Sequence, residues 1–239
     1  MNSLVELAID AHGGLDRWQQ YRTLSADLAN GGALWPLKGQ PGVLDKATVT
    51  VGLTDQWASH RPFGAPNLKS QVRPHRVAIE TDDGVVIEEL DDPRASFAGH
   101  QLETPWSRLQ LAYFAGYAMW GYLNLPFALA RPDIHSEELS PWEEEGESWR
   151  RLKVTFPETI ATHSKQQTLY FDQNGLLKRH DYDVDISGGS SAAHYVGDYQ
   201  AFSGLMFPTR RRVFPRLPDG QAMAEPLLVS IDLSNIVLS

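Results

Sequence analysis

The uncharged segment at residues 109–130 constrains the fold of this chain more than any other feature. It contains no Asp, Glu, Lys or Arg, and its apolar side chains are spaced so that they cover most of the circumference of a helix. A helix that is apolar on nearly all sides is buried either in a protein or in a membrane. Polar and glycine positions dilute the segment, and its Tyr and Trp residues lie in its middle rather than in two interfacial belts. We therefore predict a helix in the protein core and no membrane span.

The two ends of this central helix are also marked in the sequence. Thr104 precedes Pro105; Thr is a good N-cap residue, and Pro is tolerated at the first helical position. Pro126 follows the apolar segment closely and cannot continue a helix without removing a backbone hydrogen bond. The sequence thus predicts a long helix that begins after Thr104 and ends before Pro126.

The composition is that of a globular chain with its own core. The chain has 239 residues, of which 42% are hydrophobic, and it has no cysteine. A chain of this length can bury roughly 70% of its unfolded surface, so neither a metal nor a disulfide is needed for stability. With 21 Lys and Arg against 30 Asp and Glu, the net charge is −9, which opposes a nucleic-acid backbone. We expect one domain over residues 1–239 and no nucleic-acid partner.

Runs of β-forming residues, separated by turn residues, fill residues 23–92 and 149–238. These two regions predict about ten strands. Asp83-Gly84 lies in one of the short connections, and Asp-Gly favours a hairpin with antiparallel pairing. Residues 131–148, by contrast, are rich in Pro, Ser and Glu and are predicted to form a solvated acidic connector. The fold class indicated is α+β, mostly an antiparallel β meander with an inserted buried helix.

The first twenty residues predict an amphipathic helix. Ser3 and Glu6 have the spacing of a capping box, and apolar residues recur at helical intervals. The pair Gly13-Gly14 is expected to end this helix and to let a short second one begin. Because acidic residues interrupt the apolar positions and no Lys or Arg precedes Arg17, the segment lacks the pattern of a secretory signal. We therefore expect a cytoplasmic protein.

The sequence contains no Gly-x-Ser-x-Gly, Walker loop or His-Glu-x-x-His motif, and its densest polar region is residues 179–199. In that region Asp183, Asp185 and Ser187-Gly188 match the first half of a calcium loop. The match then fails, because the twelfth position is His194 rather than a bidentate Glu. A Ser-Gly-Gly-Ser hairpin loop is the preferred interpretation. We predict no metal ion and no cofactor.

Alternation along the strand in this region places His180 and Tyr182 on one face. If the glycine-rich segment that follows is a hairpin loop, His180 lies opposite His194 on the next strand. Two histidines without a third ligand are more typical of satisfied strand residues than of a metal site. These three side chains are nevertheless candidate ligand-binding residues.

Three consecutive arginines form the last polar motif. Alternation sends Arg210 and Arg212 to one face of their strand and Arg211 to the other. Guanidinium groups match carboxylate and phosphate, so Arg210 and Arg212 are candidates for binding an anionic headgroup. The alternative is that two of the arginines pair with aspartates of a neighbouring strand.

Three phrases of the sequence carry a resemblance to a known fold. They are AHGG at the end of the first helix, YFDQNGLLKRHDY, and FSGLMFPTRRRV before the last strand. With the apolar helical insert near the middle, this layout resembles the LolA/LolB-like lipoprotein-carrier fold over nearly the whole chain. The resemblance implies an unclosed half-barrel of about ten antiparallel strands, covered by the N-terminal helix and the central apolar helix, whose concave face holds acyl chains. Because the phrases mark turns of the fold, it implies no particular ligand-binding residue.

The preferred hypothesis is binding of a lipid or another hydrophobic small molecule in an apolar cavity of the half-barrel, without catalysis. Aromatic residues of the central helix would line this cavity, because they combine apolar area with polar tips, although core packing is an equal alternative for each. Two other hypotheses are an enzyme with a His, Tyr and Arg site and a structural module that buries its helix against a partner. The candidate ligand-binding residues are Tyr113, Tyr117, Trp120, Tyr122, His180, Tyr182, His194, Arg210 and Arg212.

Overall fold

The fold is built on one open antiparallel sheet. The computed structural model describes residues 2–239, and over this range the sheet has thirteen strands. In chain order these are β1 (Thr23–Gly31), β2 (Lys46–Gly52), β3 (Ala58–Arg61), β4 (Leu68–Arg73), β5 (Arg76–Thr81), β6 (Val86–Asp91), β7 (His135–Glu144), β8 (Glu147–Thr155), β9 (Gln166–Phe171), β10 (Leu177–Val184), β11 (Ser190–Phe202), β12 (Leu205–Pro215) and β13 (Val229–Leu238). Their order in the sheet is β6-β5-β4-β3-β2-β1-β13-β12-β11-β10-β9-β8-β7. The first and last strands therefore pair in the middle, and β6 and β7 form the two edges.

Helices lie before, between and beside these strands. The α-helices are α1 (Ser3–Ala11), α2 (Leu15–Trp18), α3 (Leu34–Leu37) and α4 (Arg108–Asn124), and short 3₁₀ turns span Pro93–Phe97, Phe127–Ala130 and Asp185–Ser187. The fold is thus α+β, as the sequence predicts. Its antiparallel meander is interrupted once, between β6 and β7, by the segment that contains α4.

The predicted number of about ten strands is too low. Two of the predicted runs each divide into two strands, at the turn between β2 and β3 and at Pro74-His75 between β4 and β5. Proline lacks the N–H group that a strand interior needs, so a β-rich run that contains one can turn at that point. The predicted Asp83-Gly84 hairpin is confirmed, since β5 and β6 pair antiparallel on either side of it.

The acidic segment predicted as a solvated connector is the source of a further strand. Its residues form all of β7, which pairs with β8 along the edge of the sheet. The register shifts between Leu139 and Trp142, at a bulge that accommodates Pro141. An edge strand tolerates Pro and repeated Glu because only one of its sides needs a backbone partner. Its composition therefore indicates an edge position and not the absence of a strand.

The N-terminal helix ends where the glycine pair predicts, but its cap differs from the prediction. The Asn2 side chain, rather than that of Ser3, accepts the N–H of Leu4 at 2.8 Å. Gly13 has a φ of 110°, and a Cβ atom there would lie 2.4 Å from the carbonyl oxygen of Gly204. Only glycine fits this position, because it combines a positive φ with a close backbone approach. The short second helix, α2, follows as predicted.

The central helix starts later than the sequence suggests. Its N-cap is Ser107, which with Gln110 forms a capping box, so the predicted Thr104-Pro105 start is wrong. The helix runs 17 residues to Asn124. Of the helices in residues 2–239, none combines the length and the hydropathy that crossing a membrane requires. Both ends are set by side-chain and backbone hydrogen bonds of the folded protein.

Helix α4 packs against β2–β6, the N-terminal half of the sheet. The close approach is made at Gly116, where a Cβ atom would lie 2.6 Å from the Cβ of Val72 on β4. Further along, the indole N–H of Trp120 donates to the carbonyl oxygen of Gly52 at 2.9 Å, and Asn124 donates to the same oxygen at 3.2 Å. Together these contacts fix the face of the helix that meets this half of the sheet.

The two glycines of α4 give a matched test of this packing. We expect Gly116→Ala to lower the free energy of unfolding by about 1–3 kcal/mol, because the new methyl group overlaps the rigid branched side chain of Val72. Gly121→Ala meets no atom within 4 Å and should instead raise it by about 0.5–1 kcal/mol, through helix propensity. Urea unfolding of both variants measures the two changes. If both variants changed the free energy of unfolding in the same direction, the packing described here would be contradicted.

Candidate functional site

A narrow apolar cavity lies between α4 and the strands β10–β13 and β1. Its volume is about 60 Å³. One face of α4 lines it, with residues spaced three or four apart along the helix: Phe114, Ala115, Ala118, Met119 and Tyr122. The opposite wall carries inward-facing strand residues, among them Leu28, Tyr182, Ala192, Val213 and Ile231. The cavity therefore lies between the helix and the C-terminal half of the sheet, with α3 and His60 of β3 completing its lining. Another face of the helix is packed against the N-terminal half.

The four predicted aromatic residues of the helix lie on different sides of it. Of these four, Tyr122 alone lines the apolar cavity. Trp120 borders a surface groove near Trp18 instead, and Tyr113 borders another groove with Arg94. Tyr117 is buried, and its hydroxyl lies 3.4 Å from a ring nitrogen of His163. The helix is thus apolar all round because each of its sides faces a different part of the fold.

Polar side chains gather where the end of α4 meets β10, β11 and β12. We call this set the interior polar cluster: Tyr122, His163, His180, Tyr182, His194 and Arg211. The Tyr122 hydroxyl hydrogen-bonds the Tyr182 hydroxyl at 2.6 Å and the His163 ring at 2.8 Å. The His163 ring stacks on that of Tyr182, with centroids 3.9 Å apart. The cluster therefore brings Tyr122 and Tyr182 together, as candidate residues of one site.

The two predicted strand histidines belong to this cluster. His180 and His194 are register partners on β10 and β11, which confirms that they lie opposite each other. The Gln167 amide nitrogen donates to Thr162 and to Ser164, so the amide oxygen accepts from His180 Nε2 at 2.6 Å. His180 consequently carries its proton on Nε2 and has an unpartnered acceptor at Nδ1. Among the described residues, neither buried ring nitrogen of His194 has a hydrogen-bond partner.

The arginine motif divides between the two faces of the sheet. Arg210 is exposed, and Arg212 forms an ion pair with Asp232 of β13 at 2.8 Å, on the outer face. Arg211 points inward and is buried, and its Nη2 donates to the carbonyl oxygen of Tyr122 at 3.0 Å. The structure therefore separates Arg210 and Arg212 from the other candidate residues. A ligand contact by either of them would have to occur on the outer surface.

Sequence reasoning missed two members of the cluster, Arg211 and His163. For Arg211 a signal was available, since the alternation of β12 gives it the same face as Phe207 and Val213, which are buried. His163 lies in the loop before β9, and no periodicity predicts the direction of a loop side chain. Its place next to Tyr122 depends on tertiary contacts.

The carboxylates of the partial calcium motif have arginine partners. Asp183 pairs with Arg216 at 2.9 Å, and Asp185 pairs with Arg94 at 2.8 Å. Over residues 2–239, no three His, Asp or Glu side chains are placed together as metal ligands. The loop itself, a 3₁₀ turn followed by two glycines in positive φ, joins β10 to β11 as a hairpin.

The outer face of β10 carries a second buried polar group. Arg179 is buried and forms hydrogen-bonded ion pairs with Asp181 at 2.7 Å and with Glu144 at 2.8 Å. Burial raises the pKa of Asp181, although its hydrogen bonds from Arg179 and Tyr170 act in the opposite direction. Because the donors of Arg179 are used within the protein, this group joins β7 to β10 and offers no free ligand contact.

Burial keeps the interior histidines neutral. It lowers the pKa of His60 to about 4 and that of His180 to about 3, and it holds the pKa values of His163 and His194 well below the usual range. Within the described residues, the rings of His163, His180 and His194 have no carboxylate or serine hydroxyl partner. The arrangement offers neutral donors and acceptors beside one buried cation.

Comparisons with known proteins find similarity in structure and not in sequence. No family model matches the chain, and a search of curated proteins gives no match. A LolA superfamily protein from Nitrosomonas europaea is 13% identical and has a TM-score of 0.54, over 99% of this chain and 92% of that chain. A DUF1329 family protein from Desulfovibrio piger is 11% identical, with the same TM-score and the same shares of the two chains. A domain assigned to outer membrane lipoprotein sorting, from Vibrio parahaemolyticus, is 9% identical with a TM-score of 0.45, over 95% and 93%.

These similarities confirm the resemblance drawn from the sequence: the chain has a LolA-like fold. Two of the three quoted phrases lie at hairpin turns, between β9 and β10 and between β11 and β12. The prediction of a cytoplasmic protein is wrong, because a structural neighbour is described as an outer membrane lipoprotein-sorting domain. The charge pattern of the first residues reflects the amphipathic helix α1, which packs on the fold, and not a destination in the cell.

The neutral interior histidines predict a pH-dependent stability. Below the usual His pKa of 6.5 the unfolded chain binds protons that the folded protein excludes, so stability is complete above pH 6.5 and falls as the pH decreases toward about 4, where His60 titrates in the folded state. Each such histidine contributes a slope of about 1.4 kcal/mol per pH unit. Urea unfolding between pH 8 and pH 5 measures this slope before most carboxylates titrate.

A histidine replacement assigns the slope to the interior. His60→Gln removes one buried neutral histidine, so it should reduce the slope of stability against pH by up to about 1.4 kcal/mol per pH unit. A free energy of unfolding that stays constant from pH 8 to pH 5 would contradict the burial of neutral histidines.

Proposed function

We propose that this protein binds a lipid or another hydrophobic small molecule between α4 and the C-terminal half of the sheet, without catalysis. In this proposal residues 1–239 form one half-barrel domain, whose concave face is covered by α1 and α4. The ligand would contact the cavity face of α4 and the inner faces of β10–β13. No nucleic acid and no bound cofactor are part of the proposal.

The asymmetric packing of α4 is the observation that carries this proposal. One face of the helix is locked to β2–β6 by the Gly116 contact with Val72 and by the Trp120 hydrogen bond to Gly52. The opposite face meets an apolar cavity, and its links to the far half of the sheet are concentrated in the interior polar cluster. A cavity lined mostly by apolar side chains, with a small number of polar groups among them, is typical of a small-molecule site.

The volume of the cavity limits what it can hold without a movement of α4. At about 60 Å³ it is smaller than the roughly 150 Å³ apolar cavity that holds a benzene molecule. A hydrocarbon chain therefore enters only if α4 and the C-terminal strands separate. On separation, apolar contacts between α4 and the strands are replaced by apolar contacts with the ligand. The free-energy cost of separation therefore lies mainly in the broken hydrogen bonds of Tyr122. We interpret the structure as a closed form, in which the cavity is too small for a hydrocarbon chain.

In this proposal the candidate residues differ in how close they lie to the bound ligand. Tyr122 and Tyr182 line the cavity, and His180 and His194 lie beside them in the interior polar cluster. Tyr117 supports the cluster through His163. Tyr113, Trp120, Arg210 and Arg212 lie away from the cavity and would contact only a ligand that extends to the surface. The LolA superfamily neighbour supports the same class of ligand, since the resemblance to this fold implies acyl-chain binding.

A cavity-filling variant tests the proposed site. Ala118→Leu adds three carbon atoms to the wall of a cavity of about 60 Å³. We expect it to weaken binding of an environment-sensitive apolar dye at least about tenfold, because the added side chain takes the volume that the ligand needs. Fluorescence titration gives the dissociation constant and the stoichiometry. Native mass spectrometry of the purified wild-type protein shows whether a lipid is already bound.

Gly121→Ala is the matched control on the same helix, since nothing lies within 4 Å of the added methyl group. It should bind the dye as the wild type does. The proposal fails if the wild type shows no saturable dye binding and carries no lipid, or if Ala118→Leu folds and binds the dye with unchanged affinity.

A further inference from the structure

Arg211 is a buried cation without a carboxylate partner. It is 2% exposed, and over residues 2–239 no Asp or Glu oxygen lies within 4.0 Å of its guanidinium group. The other fully buried arginine, Arg179, has two carboxylate partners. A buried charge is costly unless an opposite charge compensates it. The inner face of β12 therefore has one positive charge in excess.

The end of α4 compensates part of that charge. Arg211 Nη2 donates to the carbonyl oxygen of Tyr122, which is in the last turn of the helix, where the dipole is negative. The guanidinium carbon also lies 5.3 Å from the centre of the Tyr122 ring. These contacts leave Arg211 Nε without a hydrogen-bond partner. A strong donor on a charged group is thus unused in the interior.

His194 supplies a second unused donor close by. It pairs with Val213 across β11 and β12, so it is the diagonal neighbour of Arg211 on the same face of the sheet. Both of its ring nitrogens are unpartnered, and in neutral imidazole one of them is an N–H donor. His180, in contrast, presents an acceptor, because its proton is on Nε2. An anion would therefore be bound by Arg211 and His194.

The two donors are not part of the cavity lining but lie next to residues that are. Tyr122, Val213 and Ile231 line the cavity, and each is a neighbour of Arg211. Arg211 donates to the Tyr122 carbonyl oxygen, Val213 is the next inward residue on β12, and Ile231 is the register partner of Arg211 on β13. Apolar side chains border one side of the site, and charged and polar donors border the other. An amphiphile has this same division between its chain and its headgroup.

We propose that Arg211 and His194 bind the carboxylate group of an amphiphile whose hydrocarbon chain occupies the cavity. The proposal rests on the proposed function and names its ligand class: a long-chain carboxylate. One carboxylate oxygen accepts from Arg211 Nε and the other from His194. A carboxylate supplies one negative charge for the unpaired Arg211 and one acceptor atom for each of the two unused donors. A phosphate dianion would bring more negative charge than one arginine balances.

The test compares two ligands that differ only in the headgroup, dodecanoate and dodecan-1-ol, at pH 7.5. Displacement of the bound apolar dye gives both dissociation constants. We expect the wild type to bind the carboxylate at least about tenfold more tightly than the alcohol, as charge-assisted hydrogen bonds predict. Arg211→Gln should abolish this preference and change the affinity for the alcohol by less than about twofold. Arg211→Lys should retain part of the preference, because it keeps the charge without the planar donor group.

Arg150→Gln on β8 is the control, since this half-buried arginine pairs with Glu138 far from the cavity in the sheet order. It should leave both affinities unchanged. Circular dichroism and thermal unfolding of each variant show whether it folds. If Arg211→Gln does not fold, the wild-type ratio and the Arg211→Lys ratio still decide the question.

The outcomes separate this proposal from the proposed function. Equal wild-type affinities for carboxylate and alcohol would overturn the carboxylate site and leave hydrophobic binding in place. A wild-type preference that persists in folded Arg211→Gln would also overturn it, because the preference would come from other residues. If the wild type binds neither ligand and no dye, the proposed function itself fails.

Discussion

The packing of Gly116 against Val72 determines where α4 lies, and the position of α4 organises the rest of the interior. Because the helix has no charged side chain after Arg108, it cannot present any face to water without a cost, and the sheet encloses it. Its approach to β4 at the glycine is closer than any side chain would permit. The opposite face of the helix borders the apolar cavity. The contact that fixes α4 on β4 therefore also fixes one wall of the cavity.

Enclosing the helix brings polar groups into the interior as well. The last turn of α4 carries the hydroxyl of Tyr122 and backbone carbonyls that have no partner within the helix. The C-terminal strands meet them with Tyr182, His194 and Arg211, and the loop before β9 adds His163. Buried polar groups are costly when unpaired, so these contacts hold the two halves of the fold together in the closed form. The unpartnered nitrogens of His194 and Arg211 show that this pairing is incomplete.

Local patterns predict most of this fold, and tertiary contacts decide what they miss. The buried central helix, the break at Gly13-Gly14 and the register of His180 with His194 follow from periodicity and turn residues, because these act over a few positions. The strand β7 is missed because an edge strand accepts Pro and Glu, which otherwise indicate a loop. Of the interior polar cluster, alternation predicts that His180 and Tyr182 share a face. It also gives Arg211 the face of Phe207 and Val213, a signal that the choice of Arg210 and Arg212 does not use.

The two buried arginines show how the faces of one sheet differ in what they can do. On the outer face, Arg179 is surrounded by Asp181 and Glu144, and its donors are used by groups of the protein itself. Such a pair is expensive to break, since removal of one partner leaves a buried charge, and it therefore fixes β7 to β10. On the inner face, Arg211 has a helix terminus in place of a carboxylate, and a helix terminus carries only about half a charge. In the carboxylate site proposed above, the remaining half would be balanced by a ligand that enters along the apolar side of α4. Such a site would favour a molecule that is apolar over most of its length and acidic at one end.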